Sequence, residues 1–435
     1  MMHRRRRGVV PDRLTHIIPA FVMSLLVQKF GGTSVADAER IHRAASRAIS
    51  ARRAGHDVVV VVSAMGDTTD DLIDLARQVC EHGDRKIAPP KREMDQLLAT
   101  GEQITIALMA MAMHAQGVEA ISFTGGQIGL VTDTAFSKAR IQSINKQRIF
   151  DQLKDGKIVI VAGFQGVTPE GDFTTLGRGG SNATLVALGA VLKADVCENY
   201  TDVDGIYTAD PRIVPGARKI DRISYDEMLE LSGLGASVLQ TRAVEFAKKY
   251  DVKLHVRNSQ NDREGTWIVA ETPNMEHIVV SGAALKKDLV AVTIKEVPDR
   301  PGVAARIFSE IAGHNIIVDD IIQTVNDNGT AFISFTVEHG DLQDIKPVVD
   351  RMVQELGGKA APLYRDDLCK ISVVGVGMRS HTGVASRMFT TLADASINIE
   401  NITTSEIKIS CIIRKVDGNR ALQLVHDAFE LGKAR

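Results

Sequence analysis

Apolar residues in the first 270 positions arrive in short runs separated by stretches of helical spacing. Residues 25–29 are one such run, ending in Phe30-Gly31-Gly32-Thr33-Ser34, after which Val35, Ala38, Ile41, Ala45, Ala48 and Ile49 recur at the spacing of one helix face. Ser34 with Asp37 three residues on reads as a capping box, and Gly55 as the stop. Residues 58–62 are consecutive valines, which suits a strand buried on both faces of a parallel sheet. Further strands are predicted at residues 120–123, 158–162, 196–200 and 252–257, with helices between them. Alternation of this kind implies an α/β domain with a mainly parallel sheet and helices on both faces, over roughly residues 23–272. The Met-rich stretch 104–113 is apolar all round a helix and is expected to be buried core.

After Pro273 the texture changes and a repeat appears. At an offset of 81 residues, Val292 matches Val373, Gly302 matches Gly383, Val303 matches Val384, Ala304 matches Ala385, Arg306 matches Arg387, Phe308 matches Phe389 and Ile316 matches Ile397. Each copy reads as strand, glycine turn, helix and strand, then a second strand and helix, so two small α+β units are expected at residues 273–358 and 359–435. Residues 1–22 fit neither region: a basic run, Arg4 to Arg7, is followed by Pro11 and Pro19. They are expected to be a disordered extension or a start codon assigned upstream of Met23.

Composition narrows the partners. With 435 residues, two or three domains are expected. A net charge of -2 argues against a nucleic-acid binder or a membrane-surface protein, so the expected partners are small molecules and other copies of the chain. Cys80, Cys197, Cys369 and Cys411 lie far apart, the pattern of reduced thiols in a cytoplasmic protein. The histidines show no metal-ligand spacing, so zinc is not expected.

One stretch carries candidate chemistry: Thr174-Thr175-Leu176-Gly177-Arg178-Gly179-Gly180-Ser181-Asn182-Ala183-Thr184, followed by an apolar helix. Three glycines in four residues flank an arginine, and Ser181 or Asn182 is a plausible helix cap, so backbone N–H groups should converge on one point. No G-K-[ST] closes the loop, and Asn182 replaces the last glycine of a dinucleotide fingerprint. Taken alone, such a loop is more often a tight turn with a helix cap than a ligand site.

That loop stands in company. Lys29-Phe30-Gly31-Gly32-Thr33-Ser34, Ser63-Ala64-Met65-Gly66-Asp67-Thr68-Thr69, Gly101-Glu102, the loop itself and Thr201-Asp202-Val203-Asp204-Gly205-Ile206-Tyr207-Thr208-Ala209-Asp210-Pro211-Arg212 follow one another in the order seen in aspartokinases. The C-terminal repeat resembles their tandem ACT domains. The resemblance covers nearly everything from Met23 onward and implies an amino-acid-kinase fold followed by two ferredoxin-like ACT domains. It also implies ATP-dependent phosphorylation of the β-carboxylate of L-aspartate, the entry to lysine, threonine and methionine synthesis. A carboxylate is already anionic at neutral pH, so such a reaction rests on alignment and charge neutralisation.

By the same resemblance Lys29 supplies a cation to the transferring phosphoryl group, with Phe30, Gly31 and Gly32 beside the phosphates. Glu102 holds the substrate ammonium and Arg178 clamps its α-carboxylate. Ser63, Thr69, Gly179, Gly180 and Ser181 contact substrate or phosphate, while Thr201, Asp202, Tyr207, Asp210 and Arg212 hold the nucleotide. Mg2+ arrives with ATP, its protein ligands unassigned. Asp299, Asn315, Ile316 and Gln323, with Asn398 and Ile399 in the second copy, sit where a lysine or threonine effector would bind between subunits of a homo-oligomer. The strand near residues 277–283 is expected to join the second ACT unit, interleaving the two.

Two positions depart from the family pattern, which usually has Asp at Asn182 and often Lys at Ser237. Losing a carboxylate and a cationic partner together preserves local charge but removes electrostatic organisation, a penalty of roughly ten- to a hundredfold in rate. Two alternatives therefore stand beside the active enzyme: a catalytically weakened regulatory paralogue, and a kinase of the same fold for another carboxylate.

Overall fold

The computed structural model describes residues 24–83, 85–234, 238–270, 279–314, 316–357 and 360–433. Residues 1–23, Ser237 and Asn315 lie outside these, so the expectations placed on them are not carried further.

The N-terminal part is built on an eight-stranded sheet in the order Arg222–Ser224, Thr266–Val269, Leu254–Asn258, Val196–Thr201, Leu25–Phe30, Asp57–Val62, Ile158–Ala162, Ala120–Phe123. The last six of that order are parallel to one another, and Thr266–Val269 runs antiparallel. Alternation along the strands divides two cores. Val27, Val59, Val61 and Val161 face Leu185 and Leu188 of the Gly180–Leu192 helix and Val244 of the Thr241–Tyr250 helix. Phe30, Val58, Val60 and Val62 face Ile41 and Ala45 of the Ala38–Arg53 helix and Met109 and Met113 of the Lys91–Ala115 helix. With both faces covered, the valine run has no polar side to show, as its sequence required.

Two local expectations change. The Ala38–Arg53 helix is capped by Asp37, whose carboxylate accepts from the Arg40 N–H at 2.8 Å. Ser34 instead lies in a 3-10 turn, its hydroxyl donating to Ser259 at 2.9 Å. The Met-rich stretch is buried on one side only: Ile104, Leu108 and Met111 are 52%, 37% and 64% exposed. The sheet covers one helix face, and nothing among the described residues covers the other.

The C-terminal part contains two four-stranded antiparallel sheets. The first has the order Asp319–Val325, Thr330–Glu338, Leu289–Pro298, Ala361–Arg365. The second has Gly282–Lys286, Leu368–Val374, Lys408–Arg414, Asn401–Thr404. The strand Gly282–Lys286 precedes the first unit in the chain but pairs with Leu368–Val374 of the second, so the units are interleaved. They meet at a charge cluster in which the Lys370 and Asp320 side chains are buried and that of Asp319 is exposed. Lys370 of the second sheet lies 2.7 Å from Asp319 and 2.8 Å from Asp320 of the first, and Asp320 also accepts from the Thr403 hydroxyl at 3.1 Å. A register shift between Asp319 and Ile322, with Asp320 at φ 48°, turns both carboxylates toward Lys370.

Candidate active site

In a parallel sheet the loops at the carboxyl ends gather where the strand order reverses direction. Here that point lies between Leu25–Phe30 and its neighbour Val196–Thr201, because the chain first runs outward through Asp57–Val62 and returns to the other side later. Lys29, Gly31, Gly32, Ser63, Thr201 and Asp202 all lie at that edge.

Lys29 shares a strand face with Val61 and Asn199, its register partners. Its ammonium makes no hydrogen bond or ion pair among the described residues, and burial lowers its pKa to about 8, opposed only by the Asp202 charge. Phe30 points the other way, stacked on Tyr200 at 4.8 Å in the core, so only its backbone faces the site. The Gly31 N–H is tied to the Tyr200 carbonyl at 3.3 Å. At Gly32 a Cβ would lie 3.0 Å from the Ala64 and Gly66 carbonyl oxygens, so the turn closes only without a side chain.

The second wall comes from the Lys91–Ala115 helix. Glu102 is buried, and its Oε1 accepts from the Ala64 N–H at 3.0 Å while Oε2 has no partner. Burial outweighs that bond and raises its pKa to about 8. Seven residues earlier on the same face, Asp95 accepts from the Ser137 N–H, the Thr175 N–H and the Thr175 hydroxyl, each at 2.8 Å. It thereby anchors the strand from which the glycine loop departs. Asp95 is a positioning residue that the sequence reading missed, although its seven-residue spacing from Glu102 on one helix was a usable signal.

The glycine loop itself differs from expectation at its cap. The helix begins at Gly180 with Gly179 as cap residue at φ 72°, and no side chain caps it. Ser181 and Asn182 lie inside the first turn, both buried. The Ser63 and Ser181 hydroxyls meet at 3.0 Å, joining this loop to the end of Asp57–Val62. Asn182 Oδ1 has no partner, and neither does Asn199 Oδ1 beside Lys29. Asn199 was also overlooked: alternation in Val196–Thr201 places it, with Cys197 and Thr201, on the Lys29 face. Arg178 is exposed at the loop tip without a partner among the described residues, and Thr69 is half-buried in the first turn of the Thr68–Val79 helix.

The nucleotide candidates form a less uniform set. Thr201 donates to Asp202 at 3.0 Å, and Asp202 is exposed. Asp210 is held by Arg212 at 2.8 Å, which lowers its pKa, so these two neutralise each other on the surface. Asp204 is enclosed by Asn258, Asn261 and Arg263 and fixes the loop. Tyr207 is half-buried, and its backbone forms a bridge to Lys219. Among the effector candidates, Asp299, Gln323 and Asn398 are exposed, Ile399 is half-buried, and Ile316 is buried ahead of the strand Asp319–Val325.

The arrangement joins a buried unpaired cation, a buried unpaired carboxylate oxygen and glycine-lined backbone at one sheet edge. Such a site can align an anionic nucleophile with a polyphosphate. A model described as the amino acid kinase family matches residues 24–258, and ACT domain models match residues 291–357 and 371–429. An aspartate kinase of Pseudomonas fluorescens is 50% identical over 410 residues, covering 94% of this chain and 98% of that protein. An aspartokinase of Mycolicibacterium smegmatis is 48% identical over 416 residues, covering 94% and 97%. Among solved structures, E. coli aspartokinase III in complex with aspartate and ADP superposes with a TM-score of 0.81 at 25% identity, covering 93% of this chain and 99% of that one. The same enzyme with lysine and aspartate gives 0.70 at the same identity and coverage, so this chain is closer to the first arrangement. The chain belongs to the aspartokinase family: it is an ATP-dependent phosphotransferase with a carboxyl acceptor, an amino-acid-kinase domain and two ACT domains.

Proposed function

We propose that this aspartokinase transfers the γ-phosphoryl group of ATP to the β-carboxylate of L-aspartate, with roles divided among the residues just described. The observation that carries the assignment is that Lys29, Glu102 and Asn182 are buried at one sheet edge, each with a polar atom lacking a partner. Buried polar groups are ordinarily satisfied, so the three are suited to groups brought by ligands. Glu102 Oε2 takes the substrate ammonium, which returns the carboxyl group to its charged form. Arg178 takes the α-carboxylate, and Ser63, Thr69 and Ser181 hold the reacting end. Lys29 gives its charge to the phosphoryl group as it leaves ADP, while the backbone at Gly31, Gly32, Gly179 and Gly180 lies along the phosphates. Thr201, Asp202, Tyr207 and the Asp210–Arg212 pair hold the nucleotide.

Among the described residues no group of three His, Cys, Asp or Glu side chains gathers as a protein-built cation cage. The donor set therefore suits a Mg2+ carried on the phosphates, with Asp202 and Asn182 Oδ1 as available oxygens for its water shell. When bound, the ion neutralises phosphate charge.

Regulation is assigned to the ACT pair, with lysine or threonine as the effector class and a homo-oligomer as the working form. Support comes from the edge strands Asp319–Val325 and Asn401–Thr404, which meet at the Asp320–Thr403 bond and expose Ile321, Val325 and Ile402. Capture of the acyl phosphate with hydroxylamine tests the reaction. Hydroxamate that requires both ATP and aspartate is expected; none above background would leave the weakened paralogue as the reading.

A further inference from the structure

The segment between Val196–Thr201 and Arg222–Ser224 carries Tyr207, Asp210 and Arg212; its ends put Ile206 and Ile220 into the kinase core, but its middle does not. Ala209 and Val214 are buried in a cluster with Met388, Leu422 and Val425 of the second ACT unit. Between them and Tyr207 lies Thr208, fully buried. Its N–H donates to the Arg218 carbonyl at 2.9 Å, and its carbonyl accepts from the Ala283 N–H at 2.8 Å, on the strand that completes the second ACT sheet. Its hydroxyl oxygen accepts from the Arg218 N–H at 3.0 Å and lies 3.1 Å from Nε2 of His426, on the Gly418–Ala428 helix.

His426 is itself buried, with Nδ1 3.6 Å from the Asp427 carboxylate and no hydrogen-bond partner there. Because the Thr208 oxygen already accepts from Arg218, its proton is free to point at Nε2. That assigns a neutral imidazole with Nδ1–H toward Asp427 and Nε2 accepting from Thr208. Burial favours the same neutral form. The apolar contacts around Ala209 and Val214 are non-directional and permit sliding, whereas a buried hydrogen bond fixes register.

We infer that His426 is a positioning residue of the kinase: through Thr208 it holds the nucleotide segment in register against the second ACT unit, and so sets the affinity for ATP. The inference rests on the assignment of residues 201–212 to the nucleotide. The test is steady-state kinetics of the full chain with His426→Leu, His426→Gln, Thr208→Val and the double variant His426→Leu/Thr208→Val. His426→Leu is expected to raise KM for ATP about tenfold, equivalent to about 1.4 kcal/mol, while KM for aspartate and kcat stay within about twofold. His426→Gln, whose amide oxygen can accept the same proton, should recover most of the loss. The double variant should be no worse than Thr208→Val alone, because Thr208→Val already removes the bond to His426 along with the acceptor of the Arg218 N–H.

A purely structural His426 would lower the melting temperature with KM for ATP unchanged, or shift all three constants together, and either result overturns the inference. Additive effects in the double variant overturn it too. If His426→Leu fails to fold, Thr208→Val, which keeps the side-chain volume, decides alone. Arg212→Ala separates the two levels: no change in KM for ATP there removes the nucleotide assignment, whereas a rise there without one in His426→Leu removes only the inference.

Discussion

At the scale of single residues, the site is governed by what burial does to charge. Glu102 and Lys29 are both moved to about 8, the acid upward and the base downward, because desolvation penalises the ionised form of each. Binding the substrate ammonium needs Glu102 ionised, and neutralising phosphate needs Lys29 protonated. We expect kcat/KM for aspartate to rise toward pH 8 and fall above it, with Glu102→Gln losing the acid limb and raising KM for aspartate at least tenfold. Stability follows the same linkage. Ligand-free protein keeps a proton on Glu102 that the unfolded chain releases above its ordinary value of 4.5, so this group makes stability fall as pH rises from 4.5 to about 8. Melting curves of Glu102→Gln should lack that slope. Asn182 carries a further expectation. It makes no bond to Lys29 in the ligand-free site, its Oδ1 being without a partner. Asn182→Asp should raise the Lys29 pKa, move the alkaline limb upward and increase kcat about tenfold, read from pH–rate profiles at saturating ATP. Residue types and motif order exposed Lys29 and Glu102 in the sequence. The unpaired state of Asn182 was not legible, because it depends on which groups the fold brings near, while the spacing of Asp95 from Glu102 hinted at its face but not at the backbone groups it holds.

At the scale of elements, period and punctuation served well where one element met one neighbour. The strand bounds at residues 120–123 and 158–162 match those read from apolar runs, and the valine run became a central strand. The reading failed where two candidates competed for one task. Asp37 displaced Ser34 as cap because Ser34 is drawn to Ser259, some 225 residues away in the chain. Gly179 displaced Ser181 because the turn into the helix needs a left-handed residue there, and a Cβ would in addition meet the Gln240 side chain at 2.9 Å. The ACT contact offers an element-scale test. Lys370→Met leaves the buried Asp320 carboxylate without its cation, and removal of one partner from a buried pair costs roughly 3–5 kcal/mol. The expected result is a lower denaturation midpoint for the ACT pair, measured by equilibrium unfolding; an unchanged midpoint would show that the cluster adds nothing to the contact.

Across the whole molecule, the order of the chain and the order of the domains disagree, and that disagreement has consequences. The strand Gly282–Lys286 must cross before the first ACT unit is made, yet it pairs with the second. A regulatory fragment beginning at Val279 should therefore fold, whereas one beginning at Lys287 should leave the Leu368–Val374 edge uncovered and aggregate or melt early. Size-exclusion chromatography and thermal unfolding of the two fragments distinguish the cases. The same crossing brings Ala283 against Thr208, so one strand joins the regulatory sheet to the nucleotide segment.

The sequence by itself determined the alternation of strands and helices, the doubled C-terminal unit and the glycine loop with its lysine and glutamate, because these depend on local period, repetition and residue type. Only the tertiary structure decided which polar atoms remain unpaired and which cap wins. Those outcomes turn on contacts between residues far apart in the chain, where burial and competing partners set the balance, and no local pattern records them.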